Sequence, residues 1–556
     1  AFPAPPMKHT TTETIRNSGT ALLLTAVFTY LLSAAVFACG GRINGAIFPV
    51  AMAAALASAP LLTGHTKKRV IAMSSMLALA LAATGILTGH LLPDYTSDGC
   101  WYHQEGISLM LDGWNPYRDG APEGGALLWT LHYAKSMEII SAAIASAVGS
   151  IEAGKAVNFI LTAAAALLVY DFGQRHLGSA KRAIALSLAA TANPVVIAQL
   201  PTYYIDYTLY IYILLTIILL VDAAGSRRTA APYLLAGAVT VLAIGTKFNI
   251  FFMQGVTLIA AAGWCAATRR RHEARTIIVT GACALAVGLL AAWHPYVGNF
   301  IGHGNPLYPL LGEGAQDIMS ENTPDIYTGN RFADFAISLL YPERPSYDGR
   351  INGFTPLMVL LLGISAFTAW KFRRDSDSRL PLFIMACALA SCFFFDQSWW
   401  ARYNCQLWLV PVSAYFCLLR SGDRAHTLVW CRRLTLLCIV AAAAVTIRYT
   451  LPASIHLSIW QRNIYSLRRE TPARIIDLDR QTARHFAEQG IDIESISESE
   501  VRPGNILVAT GYVFKGVFPM MEVTRAEWDN MLKHSGGRLL EHQNPRRAVL
   551  PDLSQP

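Results

Sequence analysis

The residues best suited to chemistry lie in the polar stretch D-Y-T-S-D-G-C-W-Y-H-Q-E, from Asp94 to Glu105, directly after a long apolar block. A carboxylate at the end of an apolar block is costly to desolvate and therefore often marks a function. Asp98 is the candidate general base that takes a proton from a hydroxyl group, and His103 is the second candidate, as a neighbour that orients or tunes Asp98. The alternatives are that Asp94 is the base, or that the stretch is a solvated loop with ordinary acids.

Two cations could bind an anionic group. Arg402 and Lys247 each lie at the end of an apolar block, where a positive charge could stabilise a departing phosphate. Each also has a structural explanation, because Lys247 could extend its charge to the membrane interface and Arg402, in W-W-A-R-Y, could anchor an aromatic belt. Asp206, in Y-Y-I-D-Y, could line the same cavity, hold a cation or form a structural ion pair. His294 is open to the same interpretations.

The composition predicts a membrane protein. Of the 556 residues, 53% are hydrophobic and 15% are charged, against about 25% charged residues in ordinary soluble domains. The apolar residues form blocks of about 20, the length that crosses a bilayer, and we count about 13 predicted spans. The spans lie near 19–39, 46–63, 70–92, 153–172, 183–200, 204–222, 231–247, 250–267, 276–294, 353–371, 380–395, 402–419 and 434–450.

Basic residues alternate between the loops that join these blocks. Every second loop is rich in Lys and Arg, beginning with Lys67, Lys68 and Arg69, and the short loops between them hold almost none. Since Lys and Arg favour the cytoplasmic side, the pattern predicts a bacterial inner-membrane protein with a cytoplasmic N-terminus and a periplasmic C-terminus. The net charge of +8 is then explained by topology, and no nucleic-acid partner is expected.

The chain is expected to divide into three parts. Residues 1–18 are expected to form a cytoplasmic N-terminus, and residues 1–6, which precede Met7, are expected to be an artificial addition. Residues 19–450 are expected to form an all-α transmembrane domain. Residues 451–556 have the composition of ordinary soluble sequence and predict a small α/β domain.

Two long external loops, 93–151 and 295–352, interrupt the predicted spans. Loops of this length are uncommon unless they have a function. The first contains an apolar helix candidate, Met137–Val148, that is too short to cross a bilayer. We expect this helix to lie along the outer membrane interface.

The C-terminal part shows local signals for helices and a strand. A helix is predicted around Ile475 to Gln489 and an apolar strand from Asn505 to Phe514. A second helix is predicted to begin with a capping box, Thr524 to Glu527, and to end at Gly536-Gly537. No catalytic motif is evident in this part of the chain.

Several motifs together resemble the GT-C glycosyltransferases, which are multi-span enzymes that take a sugar from a polyprenyl-phosphate carrier. The motifs share their order along the chain and their predicted position at the outer face. They are Asp98-x-x-x-Tyr102-His103, Gly113-x-Asn115-Pro116-Tyr117, the interfacial-helix stretch from His132 to Ile144, the segment from Trp293 to Pro309, and Ala401-Arg402-Tyr403. The chain departs from the family pattern because two spans precede the usual first one, and because Ala134 and Ser136 stand where prolines are usual.

The resemblance, which is to the aminoarabinose lipid A transferase and protein O-mannosyltransferase type, implies a function and a site. It implies a polyprenyl-phosphate-linked sugar as donor and a glycan, lipid or protein as acceptor. It implies that Asp98 and His103 are catalytic. The residues implied to bind the donor phosphate or the substrate are Arg402, Lys247, Tyr102, Asp206, His294, Tyr403 and Lys135. No metal ligands are implied, no cofactor is required by the sequence, and a divalent cation is left open.

The chemistry of such a transfer needs only one base. A sugar on phosphate already carries a good leaving group, so one carboxylate suffices, unlike the pair that glycoside hydrolysis needs. Direct attack from the opposite face inverts the anomeric centre. Two other functions are open: a lipid or polysaccharide transporter or flippase, and a binding or assembly protein whose C-terminal domain is the functional part. The last would make Asp98 dispensable.

Overall fold

The computed structural model describes residues 9–122, 126–225, 230–312, 314–316, 322–421, 425–468, 471–511, 519–535, 540–541 and 547–549. In these residues the chain forms a helical bundle followed by a small α/β domain. The helices of the bundle are α1 (His9–Ala38), α2 (Ile47–Thr63), α3 (Lys68–Leu91), α4 (Gln104–Leu111), α5 (Leu128–His132), α6 (Ser136–Val148), α7 (Ala156–Leu177), α8 (Ala180–Thr191), α9 (Pro194–Gln199), α10 (Tyr207–Gly225), α11 (Ala231–Thr246), α12 (Phe248–Ala267), α13 (Arg271–Ala291), α14 (Trp293–His303), α15 (Arg331–Leu340), α16 (Leu357–Phe372), α17 (Arg379–Ser391), α18 (Leu409–Arg420) and α19 (His426–Leu467).

Seven helical segments of the described chain are long and apolar enough to cross a membrane. They are α1, α3, the stretch Ile151–Leu177 that contains α7, α10, α12, α13 and α19. Helices also occupy the other predicted span positions, but they are shorter. The membrane character of the chain therefore has structural support, and the full set of about 13 crossings stays a prediction.

The bundle turns large apolar side chains outward. Leu61 and Ile259 are each 74% exposed, and Met76 and Leu437 are also exposed. Contiguous apolar surface of this kind is rare on monomeric soluble proteins. It suits a surface that faces lipid.

One predicted span is broken into two short helices, α8 and α9. The Asn193 side chain causes the break, because it accepts a hydrogen bond from the Val195 backbone N–H at 3.0 Å and donates to the Cys405 carbonyl at 3.0 Å. Pro194 is the first residue of α9. A proline is tolerated there because the first N–H groups of a helix have no partner within the helix. The chain leaves α9 towards the end of the bundle where the Asp98 loop lies, and Asp206 sits there at the start of α10.

The predicted helix at Met137–Val148 is present as α6, but the interfacial position was wrong. Residues Ser136 to Ala145 are all buried. The Ser136 hydroxyl bonds to the Thr246 hydroxyl at 2.8 Å, and Glu138 bonds to the His103 ring at 2.7 Å. A short helix whose polar groups find partners inside the protein is stable in the interior, where no lipid or water is needed to satisfy them.

The C-terminal domain is built on a mixed sheet. Its elements are β1 (Ala473–Ile476), α20 (Arg480–Glu488), β2 (Ile493–Ser495), β3 (Ile506–Ala509), β4 (Met520–Val523), α21 (Arg525–Ser535), β5 (Leu540–Glu541) and β6 (Arg547–Val549). The strand order is β2-β1-β4-β3-β6-β5. The boundary predicted at residue 451 falls inside α19, which continues through Pro452 to Leu467. The Trp460 indole N–H of α19 donates to the Ala509 carbonyl at 2.8 Å and so attaches the sheet to the helix.

Of the elements predicted for this domain, the strand and the capping box are present, and one helix is in part wrong. The strand at 505–514 is present as β3, and residues 512–514 lie outside the described residues. The helix predicted from Ile475 is in part wrong, because β1 occupies that position and the Asp479 carboxylate caps α20 at the Thr482 N–H, at 2.7 Å. The capping box is confirmed, since the Thr524 N–H donates to the Glu527 carboxylate at 2.7 Å. The predicted helix end at 536–537 lies outside the described residues.

Candidate active site

A single buried guanidinium lies where four distant parts of the chain meet. The Arg402 side chain is 6% exposed, and its Nη1 lies 2.9 Å from the Asp98 carboxylate and 3.6 Å from that of Asp206. Its Nε lies 3.1 Å from the Asp348 carboxylate. A buried charge is tolerated only when it is paired, so these three carboxylates and Arg402 hold one another in place.

Aromatic rings surround the same guanidinium. The Arg402 guanidinium carbon lies 4.3 Å from the Trp400 ring centroid, 5.0 Å from that of Tyr204 and 5.2 Å from that of Tyr403. Such cation–π contacts fix the plane of an arginine and exclude water from it. Anchoring in an aromatic belt alone does not explain this geometry, because the guanidinium points inward to the three carboxylates.

Lys247 joins the cluster from the junction of α11 and α12. Its backbone is extended there, with φ −162° and ψ 148°, so it separates two helices that would otherwise be continuous. Its ammonium nitrogen lies 2.6 Å from Asp206 and 4.9 Å from the Tyr403 ring centroid. Lys247 therefore reaches into the cluster and does not extend to the membrane surface.

Asp98 is the most accessible of the three carboxylates, with a side chain that is 23% exposed. It precedes a π-helical turn, Gly99–His103, that runs directly into α4. Burial raises the pKa of Asp98, but the charges of Arg402 and Lys247 and the hydrogen bond from Arg402 together hold that pKa below its ordinary value. Asp98 is therefore ionised at neutral pH and open to a second reactant.

Asp94 has a structural position instead. Its carboxylate accepts hydrogen bonds from the Thr96 N–H and hydroxyl at 2.8 and 2.7 Å and from the Tyr203 N–H at 2.6 Å. Burial raises its pKa to about 6. A Cβ added at Gly99 would collide with this carboxylate, so the glycine allows Asp94 to brace the turn that carries Asp98.

His103, predicted as a neighbour that orients or tunes Asp98, is among the groups that lower the pKa of Asp98. Its Nδ1 lies 2.7 Å from the Glu138 carboxylate, and both side chains are buried. Its ring lies beside that of Tyr102, with centroids 4.1 Å apart. Tyr102 in turn contacts Tyr133 edge-on at 5.9 Å, so these residues form the inner wall of the site.

Lys135 and His294 were predicted to bind the donor phosphate or the substrate. Lys135 is buried before α6, where burial lowers its pKa to about 8 and the charges of Glu138 and Glu105 oppose that shift. His294 interrupts α14 and contacts the Trp114 ring edge-on at 5.9 Å. Among the described residues, neither forms an ion pair with the carboxylates around Arg402. Their predicted role in binding the donor phosphate or the substrate stays a prediction.

Sequence reasoning missed Asp348, which lies in S-Y-D-G-R of the second long loop. The loop reaches Arg402 by a close backbone approach, in which the Ala401 N–H donates to the Gly349 carbonyl at 3.0 Å. A Cβ added at Gly353 would collide with that of Ala401. Arg350 completes the group by pairing with Asp348 and stacking on Trp400 at 5.1 Å. In the sequence, only the length of the loop 295–352 indicated a function for this part of the chain.

An apolar cavity of about 330 Å³ lies among the helices of the bundle. It lies between α10, α12, α17 and α18, and it runs from Gln406, four residues after Arg402, to Arg270 at the far end of the bundle. Met253 and Trp264 are among its apolar lining residues. Between Arg402 and Gln406, the Cys405 thiol donates to the Asp206 backbone carbonyl at 3.4 Å.

Among the described residues, no group of three or more His, Cys, Asp or Glu side chains is arranged to hold a metal ion. The three carboxylates instead converge on a guanidinium. Compared with known proteins, the chain matches no family model and none of the curated proteins. The interpretation of the site consequently depends on its geometry.

Proposed function

We propose that the protein is an inverting glycosyltransferase that moves a sugar from a polyprenyl-phosphate carrier to an acceptor hydroxyl at the outer face of a bacterial inner membrane. The observation that carries the proposal is a buried cationic cluster close along the chain to an apolar cavity, whose lining residue Gln406 follows Arg402 by four residues. A polyprenyl phosphate has the matching design, with one anionic group at the end of an apolar chain. The acceptor is a glycan, a lipid or a protein.

Arg402 and Lys247 are the residues that would bind the donor phosphate. A guanidinium can take two phosphate oxygens in a bidentate pair, whereas an ammonium acts as a point charge. Both groups are already held by carboxylates and rings, so little side-chain entropy is lost when the phosphate binds. The apolar cavity would take the first isoprene units of the carrier between α10, α12 and α17.

Asp98 would act as the general base. The acceptor oxygen attacks the anomeric carbon from the face opposite the phosphate, and the acceptor proton passes to the Asp98 carboxylate. The bond between the anomeric carbon and the phosphate oxygen breaks, and its electron pair leaves on the phosphate. Arg402 and Lys247 stabilise the charge that develops there, and the configuration at the anomeric carbon is inverted.

The contact between Asp98 and Arg402 links donor binding to catalysis. In the structure Arg402 stabilises the ionised form of Asp98 and makes it a weak base. A donor phosphate that pairs with Arg402 would weaken that contact, and the pKa of Asp98 would rise towards a value better suited to proton transfer. The base would therefore be strengthened only when a donor is present.

A lipid or polysaccharide transporter is the second candidate. It is favoured by the length of the apolar cavity, which extends from Gln406 to Arg270. A transporter would move the labelled sugar lipid across the bilayer without forming a glycosidic bond. Product analysis separates the two functions.

The orientation can be tested with single cysteines in a background in which the exposed Cys39 and Cys283 are replaced by Ser. Ser495, in the C-terminal domain, and Ser376, between α16 and α17, are both exposed. We expect a membrane-impermeant thiol reagent to label Ser495→Cys in intact spheroplasts, and Ser376→Cys only after lysis, because the basic loops face the cytoplasm. The reverse pattern would contradict the topology.

Asp98→Asn is expected to lower the rate of single-turnover sugar transfer by about 10²–10⁴, because asparagine cannot take the acceptor proton at neutral pH. The assay measures formation of the glycosidic bond from a purified polyprenyl-phosphate sugar. Donor binding is expected to persist, since Arg402 and Lys247 remain.

The matched control for this substitution is Asp396→Asn. Asp396 lies in the same loop as Arg402, is 80% exposed and pairs only with Arg331 among the described residues. It should retain the transfer rate. Normal transfer by Asp98→Asn would exclude Asp98 as the base.

The pH dependence of transfer should differ between kcat and kcat/KM for the donor. Asp98 must be ionised to act, so activity is lost as pH falls through its pKa. The free protein has the lowered pKa, whereas in the donor complex Arg402 is neutralised and the pKa is higher. Since kcat/KM reports the free protein and kcat the complex, the acid limb of kcat should lie at the higher pH. Acid limbs at the same pH, or in the reverse order, would contradict competition between the phosphate and Asp98.

A further inference from the structure

We infer that the C-terminal domain positions the Asp98 segment through one face of α20, and that Arg484 and Asp112 are positioning residues for the proposed transfer. The inference rests on the proposed function. Polar residues of α20 recur with helical spacing, at Arg480, Gln481, Arg484, His485 and Glu488. Residues spaced in this way share one face of a helix, and each of them contacts the first long loop of the bundle.

Charged contacts join α20 to the end of α4. Arg484 pairs with the Asp112 carboxylate and also donates to the Ser108 carbonyl at 3.3 Å. Arg480 lies 3.5 Å from the same carboxylate. Asp112 follows the last residue of α4. The two arginines therefore lie near the C-terminus of that helix, where a positive charge interacts favourably with the helix dipole.

Contacts with neutral and backbone groups extend the surface towards Asp98. The Gln481 amide donates to the Trp101 carbonyl at 2.8 Å, inside the π-helical turn that follows Asp98. The His485 ring lies 3.3 Å from the Gln104 amide oxygen, at the start of α4. The α20 contacts therefore cover the whole helical segment from residue 101 to residue 112.

The opposite side of this segment is held by the bundle. His103, on the turn itself, pairs with Glu138 of α6. The Thr130 hydroxyl donates to the Tyr102 carbonyl at 3.1 Å. The helical segment is thus held between α6 and α20, and Asp98 directly precedes the π-helical turn at its start. Loss of the α20 contacts would leave the segment attached on one side only.

The domain is rigid enough to act as a support. Phe486, on the other face of α20, is buried against Tyr465 of α19, with ring centroids 5.2 Å apart. Arg468, directly after α19, donates to the Glu522 carbonyl of β4 at 2.6 Å and pairs with Glu527 at 2.7 Å. The position of α20 is therefore fixed by the long helix α19 and by the sheet.

The Arg484–Asp112 pair is suited to a positioning role because it is accessible. The Asp112 side chain is 47% exposed and that of Arg484 20%. Exposed ion pairs contribute little to the stability of a fold. Removal of the pair should therefore leave the protein folded, and its effect should appear as greater freedom of the segment from residue 99 to residue 112.

The test uses the full-length protein in lipid nanodiscs with the variants Arg484→Ala, Asp112→Ala, the double variant and Arg484→Lys. We expect Arg484→Ala to lower kcat by about tenfold or more, because small displacements of a reacting group are costly, with the donor KM changed less than about twofold. The double variant should be slower by less than the product of the two single effects, since the two residues act in part through each other. Arg484→Lys should recover most of kcat.

A second readout is independent of the chemistry. Hydrogen exchange of the peptide 99–112 should quicken in Arg484→Ala and return towards normal in Arg484→Lys. Arg525→Ala is the control, because Arg525 is an exposed cation of the same domain that pairs with Asp529 on its own helix. It should change neither kcat nor the exchange rate.

The two readouts separate the inference from the function beneath it. Unchanged exchange in Arg484→Ala, or faster exchange with an unchanged kcat, would overturn the positioning role. Faster exchange in this variant, together with no sugar transfer by the unaltered protein, would overturn the proposed function and leave the contact between α20 and α4 standing.

Discussion

The arrangement of the loops depends on one constraint. The buried Arg402 guanidinium must be paired with carboxylates. A buried cation is costly unless carboxylates satisfy it, and breaking such a pair is more costly still. The partners of Arg402 come from three distant segments, at Asp98, Asp206 and Asp348. Each segment must therefore reach the same point. The helices around Arg402 end or break at positions that allow this.

The adaptations are local and physical. Asn193 breaks one predicted span so that the chain turns back and places Asp206 at the cluster. The extended backbone at Lys247 ends α11 and starts α12, which points the lysine inward. The glycine at 353 permits the second long loop to pass close enough for Asp348 to face the guanidinium. The backbone is therefore irregular near the segments that bring Asp206, Lys247 and Asp348 to the cluster.

The sequence predicted much of this arrangement because charges at the ends of apolar blocks are easy to recognise. Asp98, Asp206, Lys247, Arg402 and Tyr403 were all predicted as site residues, and the structure brings them together. The helix positions followed from the long apolar blocks. Their number of membrane crossings and their orientation stay predictions, as do the enzymatic activity and the donor.

The misses have a common cause, which is that contacts between distant segments leave no local pattern. Asp348 lies in a loop of ordinary composition, and only the fold brings it to Arg402. The Glu138 of α6 that pairs with His103 was likewise not predicted, because it lies in a separate segment. The burial of α6 was missed because an apolar helix suits a protein interior as well as a membrane surface.

The central claim is that Arg402 holds the phosphate of a lipid whose chain lies in the apolar cavity. Cryo-electron microscopy of the protein in nanodiscs with a polyprenyl phosphate tests it directly. The account predicts phosphate density within hydrogen-bond distance of Arg402 or Lys247, continuous with chain density between α10, α12 and α17. Phosphate density beside Lys135 and His294, with the Arg402 carboxylate pairs unchanged and the cavity empty, would contradict it.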